Sequence, residues 1–168
     1  MKLSLRFNHP KYSDEELNKS IFEIVEANLL LSMASIFEGK ESYINTVFYC
    51  YNDKLDFYFL SPSNTQHIKN IQQNNSVALA VYDSHQKLAG KRGLQIFGIC
   101  RLANRNEMEE GIELYSKRFA WLKKFIKTPV DFDKGIIESR MYIIKAQKVK
   151  IFDEPNFGAE KWVTVQVK

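Results

Sequence analysis

Leu55-Asp56-Phe57-Tyr58-Phe59-Leu60-Ser61-Pro62-Ser63-Asn64-Thr65-Gln66-His67 opens the stretch, running on to Tyr82, whose reading decides the fold. The apolar run Leu55–Leu60 predicts a strand, Ser61–Asn64 a turn, the residues from about Thr65 a short helix, and Val77–Tyr82 a second strand. Ser63, followed three residues later by Gln66, has the form of a capping box, so Ser63 is expected to cap the helix. Backbone N–H groups left free at that helix start would stand beside the hydroxyls of Ser61, Ser63 and Thr65 and the imidazole of His67. Such a seat suits a phosphate. A plain surface cap is the other reading of the same residues.

Upstream, Ser13 and Glu16 form another capping box, and Leu17, Ile21, Ile24 and Val25 recur at helical spacing, which predicts a helix over 13–27. Leu29–Ile36 reads as a buried strand, Phe37–Glu41 as a hairpin turn with Gly39 free to take a positive φ, and Tyr43–Tyr51 as the strand that returns. Downstream, Asp83–Arg92 is a polar loop and Gly93–Ala103 an alternating strand. Gly98 in the middle of that strand predicts a bulge or a close backbone approach. Asn104 caps a helix over Arg105–Arg118, and Phe119–Phe125 reads as a second amphipathic helix stopped by Thr128-Pro129. Met141–Phe152 is a further strand, and Trp162–Val167 a short one in the tail.

Strands joined by hairpins, with helices only at the start, in the middle and after the fifth strand, predict a mainly β fold, a closed antiparallel barrel with peripheral helices. An α+β sandwich is the competitor, and the number of strands favours the barrel. The expected organisation is one domain over 1–168, with barrel strands at about 28–103 and 140–152, a helical insertion at 105–127 and a C-terminal tail at 153–168.

The 168 residues suffice for a core without disulfide or metal staples. A net charge of +4 arises largely from Lys117, Arg118, Lys123, Lys124 and Lys127, with Lys145, Lys148 and Lys150 further on, which read as solvated faces. No zinc, glycine-rich or helix-turn-helix signature accompanies it, so nucleic acid is not an expected partner. Cys50 and Cys100 each lie in an apolar strand and read as reduced, buried thiols. The N-terminus is too short and polar for a signal peptide and no run reaches membrane-spanning length, so a soluble cytoplasmic protein is expected. His9, His67 and His85 are scattered, and neither a metal spacing nor a triad is present.

The landmarks Ala34-Ser35-Ile36, Gly39, Tyr43, Phe57-Tyr58-Phe59-Leu60-Ser61, Thr65-x-His67-x-x-Asn70-Ile71, Val77-Ala78-Leu79 and Gln95-Ile96-x-Gly98-x-x-Arg101-Leu102 follow one another in a familiar order. The chain resembles the pyridoxamine 5′-phosphate oxidase-like family of FMN-binding split barrels, in an uncharacterised bacterial branch rather than the oxidase itself. The resemblance implies a six-stranded antiparallel split barrel that forms a homodimer with FMN at the subunit interface. It puts Ser61, Thr65, Gln66 and His67 near the FMN phosphate, Asn45, Thr46 and Val47 near the flavin ring, and Gln95 close by from the fifth strand.

The family's oxidase carries an Arg-Lys pair at the helix start, where this chain has Gln66 and His67, and its C-terminal substrate arginines are not apparent. Oxidation of the vitamin B6 phosphate is therefore not the expected reaction. The resemblance implies a flavin-dependent oxidoreductase that uses a nicotinamide or another small reductant on a small molecule. The alternative is a non-catalytic flavin- or haem-binding or interaction protein that keeps the fold without turnover; haem would need His67 or His85 as its axial ligand. Phe157 and Trp162 in the tail are expected to be core.

Overall fold

Seven strands form one antiparallel sheet in the computed structural model, which describes residues 5–134 and 137–167. They are β1 (Leu30–Phe37), β2 (Glu41–Tyr51), β3 (Asp56–Pro62), β4 (Ser76–Tyr82), β5 (Arg92–Leu102), β6 (Ser139–Asp153) and β7 (Trp162–Gln166). Their order is β3-β2-β1-β4-β5-β6-β7, and a further pairing of β3 with β6 closes the first six into a ring. The length of β6 makes this closure possible. Along one edge its first residues pair with β3 (Ser139 opposite Pro62) and its later ones with β7, while its other edge runs along β5. The fold is thus a curled, antiparallel split barrel with peripheral helices.

Two helices close the ends of the barrel. The first, α1 (Asp14–Ala27), begins at the reciprocal Ser13–Glu16 capping box that its sequence predicts and buries Leu17, Ile21, Ile24 and Val25. At its C-terminus no basic residue stands in the last turn, and Arg118 supplies the missing donor from far along the chain. Its guanidinium bonds the carbonyls of Val25, Glu26 and Asn28 and lies over the rings of Tyr49 and Tyr51. The second helix, α2 (Gln66–Gln73), covers the opposite end and sends Ile68 and Ile71 into the same core. No described helix is long and apolar enough to cross a membrane.

Both faces of the β3–β6 seam are buried. Inward-pointing Phe57, Phe59, Tyr142 and Ile144 join the barrel core, whereas Tyr58, Met141 and Ile143 point outward into a second cluster. That outer cluster is roofed by α3 (Arg105–Arg118), a 3-10 turn (Ala120–Lys124) and α4 (Val130–Asp133). Asn104 and Glu107 form the capping box of α3. Gly111 of this helix lies against the wall, since a Cβ there would fall 2.4 Å from Met141 Sδ and 2.8 Å from Tyr58 Cδ1. A one-turn helix, α5 (Glu154–Phe157), leads into the tail.

The close approach expected at Gly98 is present: the register of β5 against β6 slips between Phe97 and Gly98, leaving Gln147 as the extra residue on β6. Three other expectations are corrected. Ser63 does not cap α2; Thr65 occupies the cap position without a capping bond, and its hydroxyl donates to Pro62 O at 3.0 Å. Phe119–Phe125 does not form a full second helix and the helical region reaches past 127 to Asp133; Phe119 leaves helical geometry at φ −129°, its ring packed on Tyr115. Phe157 is core, but Trp162 is not: it stays 44% exposed, lying against Phe152 under the Lys150 ammonium.

Candidate functional site

At the junction of β3 and α2 three polar side chains converge. Ser61 is fixed by its register opposite Arg140 on the barrel's inner face, at the end that α2 covers. Its Oγ lies 2.8 Å from His67 Nε2 and 3.2 Å from Thr65 Oγ1, and the last two atoms are 3.3 Å apart. Burial strips water from the imidazole and holds the His67 pKa below its ordinary value, so the ring is neutral at neutral pH. Above the cluster, the first-turn N–H groups of α2 have no intrahelical acceptor, as at every helix start, and Thr65 gives them none.

The flank of α2 that faces β1 is locked by amides. Gln66 Nε2 donates to Asn70 Oδ1 at 2.9 Å, and Asn70 Nδ2 donates to Ser35 Oγ at 3.1 Å, with Asn70 and Ser35 both buried. On β2, Asn45 stands opposite Met33 on the inward phase of Val47 and Tyr49. Both its side-chain polar atoms are buried without a partner. That is a costly arrangement for an amide, and it leaves a donor and an acceptor available.

Thr46 and Gln95 lie elsewhere, on the outer face of the barrel. Thr46, Ser32, Ala80, Gln95 and Lys150 stand side by side across β2, β1, β4, β5 and β6. Around this row the sheet is apolar and open: Ile44 is 71% exposed, and Leu30, Phe48 and Tyr82 are about half exposed. One chain therefore brings Ser61, Thr65 and His67 together with Gln66 adjoining, holds Asn45 and Val47 inside β2, and presents Thr46 and Gln95 on the outer surface.

The other flank of α2 holds a feature that the sequence reading missed. Between Ile68 and Ile71 of α2 and the ends of β5 and β6 lies a cavity of about 710 Å³, bordered by Ser63, Asn75, Arg140 and Tyr142. The signal was there in the β6 pattern, since Arg140 falls on the inward phase of Tyr142 and Ile144. Nothing local distinguished it from an ordinary strand-start arginine.

Comparison with known proteins bears on this arrangement. A family model described as pyridoxamine 5′-phosphate oxidase matches residues 17–151. A UPF0306 protein of Campylobacter jejuni is 28% identical over 120 residues, covering 64% of this chain and 87% of that protein. Among solved structures, a haem binding protein from Mycobacterium smegmatis aligns with a TM-score of 0.67 at 10% identity, over 85% of this chain and 55% of its own. A protein from Clostridium acetobutylicum, described as related to general stress protein 26 and of the pyridoxinephosphate oxidase family, aligns with a TM-score of 0.62 at 14% identity, over 88% of this chain and 92% of its own. At these identities the structural likenesses establish the shared barrel alone.

Proposed function

Because the chain belongs to the pyridoxamine 5′-phosphate oxidase family, we propose that it binds FMN, as a homodimer, and acts as a flavin-dependent oxidoreductase on a small molecule. The observation that carries this reading is the Ser61–Thr65–His67 cluster at the uncapped start of α2. Two hydroxyls and an imidazole beside free backbone N–H groups can replace one another's bonds with bonds to phosphate oxygens, and a dianion favours the doubly donating form of His67. Asn45 adds support: its unpaired amide offers one donor and one acceptor, the pattern that the polar edge of a flavin complements. FMN would supply the two-electron chemistry; the chain would supply position and hydrogen bonds.

The open outer sheet face supports the dimer. A flat apolar surface with Ile44 at 71% exposure is a liability unless covered, and a second copy brought against it would enclose the Thr46–Gln95 row. Haem is the weaker reading. His67 Nε2 is engaged by Ser61 at 2.8 Å, and the side chain of His85 is 93% exposed beside Asp83.

Titration of the purified protein with FMN, followed by flavin fluorescence, tests the proposal. Saturable binding that bleaches on addition of a reduced nicotinamide is the expected result; a protein that leaves FMN fluorescence unchanged refutes it. His67→Ala should weaken FMN binding about tenfold, the loss of one hydrogen bond to a charged group. Unchanged affinity would remove the imidazole from the phosphate seat. For the dimer, light scattering of the Ile44→Lys variant should give the mass of one chain where the parent gives two. A monomeric parent at micromolar concentration would end that part of the reading.

A further inference from the structure

The cavity on the β5/β6 flank of α2 is not used by the flavin reading and does not depend on it. Its floor is apolar, formed by Ile68, Ile71 and Cys100, all in the barrel core. Its rim is polar but carries no carboxylate: Ser63, Asn75 and the exposed glutamines of α2 contribute amides and a hydroxyl. Of the two arginines at the cavity, Arg101 is already neutralised by a two-point pairing with Glu107, with both bonds at 2.7 Å. Arg140 has no acidic partner among the described residues, and its one hydrogen bond is a long one to Ser139 O at 3.3 Å.

A second group points to the same place. Tyr142 follows Arg140 on the inward phase of β6 and is 96% buried, its ring stacked on Phe59. Its hydroxyl makes no hydrogen bond to any described residue. A phenol lining the cavity with no hydrogen bond to a described residue, beside a guanidinium with no acidic partner among them, is a pair of donors without a protein acceptor. Nothing in the core requires such a pair, since phenylalanine would fill the same space against Phe59.

We propose that this cavity is a binding site for a small organic acid with an apolar body, its carboxylate held by Arg140 and the Tyr142 hydroxyl and its body laid along Ile68 and Ile71. A volume of about 710 Å³ accommodates a molecule of that size. The anion satisfies both donors at once, whereas a neutral or cationic ligand leaves Arg140 unpaired. The cavity adjoins the Ser61–His67 cluster, since Arg140 stands in register opposite Ser61 and Phe59 lies against both Tyr142 and His67. The acid-against-amide preference reads the cavity, and FMN affinity reads the flavin seat.

The test uses 3-phenylpropionate and its neutral isostere 3-phenylpropanamide, titrated into the full-length protein and followed by amide chemical shifts and calorimetry. The acid should bind saturably and about tenfold more tightly than the amide, the shifts centring on Ile71 and Tyr142. Arg140→Gln, a partly exposed position, should melt at the parent's temperature and bind the two compounds equally. Tyr142→Phe should weaken the acid severalfold and leave the amide unaffected. No saturation by about 10 mM acid, an unchanged preference in Arg140→Gln, or shifts confined to the Ser61–His67 side would each overturn the proposal.

Discussion

Asp153→Asn should destabilise the protein by about 3 kcal/mol or more at pH 7, although it alters only one atom's identity. Asp153 is fully buried where β6 ends against α1 and β5. One carboxylate oxygen accepts from Ser20 Oγ at 2.5 Å, Asn156 Nδ2 at 2.8 Å and Arg92 Nη2 at 2.9 Å, tying α1, α5 and β5 to the last barrel strand. An amide there offers a weaker, uncharged acceptor to all three and leaves the Arg92 guanidinium with Glu23 alone.

The same network fixes the pH dependence. Burial by itself would raise the Asp153 pKa, but the bonds from Ser20, Asn156 and Arg92 outweigh it and hold the carboxyl below its ordinary value. A group whose pKa is depressed by folding contributes stability above its unfolded pKa, about 3.9 for aspartate, and loses that contribution as pH falls toward the folded value. The stability gap between parent and Asp153→Asn, from urea unfolding, should therefore be constant from pH 8 to about pH 5 and narrow below about pH 4. A gap that persists undiminished at about pH 3, or no gap at pH 7, would show that the carboxylate does not hold these elements together.

Gly98→Ala should cost about 3 kcal/mol and lower the melting temperature by roughly 10 °C, a large effect for one methyl group. The added Cβ would fall 2.2 Å from Lys145 O, 3.0 Å from the carbon of that carbonyl and 3.2 Å from Ala146 Cα. All three are backbone atoms of β6, so no rotamer change relieves the overlap. β6 would have to move, and it holds β3, β5 and β7 at once. Thermal unfolding by circular dichroism measures the effect; a fall of less than about 3 °C would mean that the bulge opens freely and that the seam is softer than its geometry indicates.

Much of the fold was legible locally. Ser13 with Glu16 and Asn104 with Glu107 start their helices as their spacing predicts, since a capping box is decided within four residues. The alternation of Leu94, Ile96 and Gly98 gave the inward face of β5, and a glycine in that series gave the close approach. The same local reasoning failed at Ser63, where the helix starts two residues later with Thr65 in the cap position, and at Trp162, where burial depended on whether a sheet edge lay inside the ring or beside it. For the candidate site the order of landmarks pointed to the β3–α2 turn, and the turn does gather Ser61, Thr65 and His67. It could not tell that Thr46 and Gln95 face outward while Asn45 faces in.

What the sequence alone determined is therefore the strands, the helices α1, α2 and α3, and the grouping of Ser61, Thr65 and His67 at the start of α2, because these rest on neighbours a few residues apart. The tertiary structure alone decided that β3 pairs with β6, and hence that Arg140 stands opposite Ser61, that Arg118 serves the end of α1, and that a cavity opens beside Tyr142. Those meetings join residues about 70 or more positions apart, and they follow from the register in which the barrel closes. Register is set by the packing of the whole ring, and no stretch of chain carries it by itself.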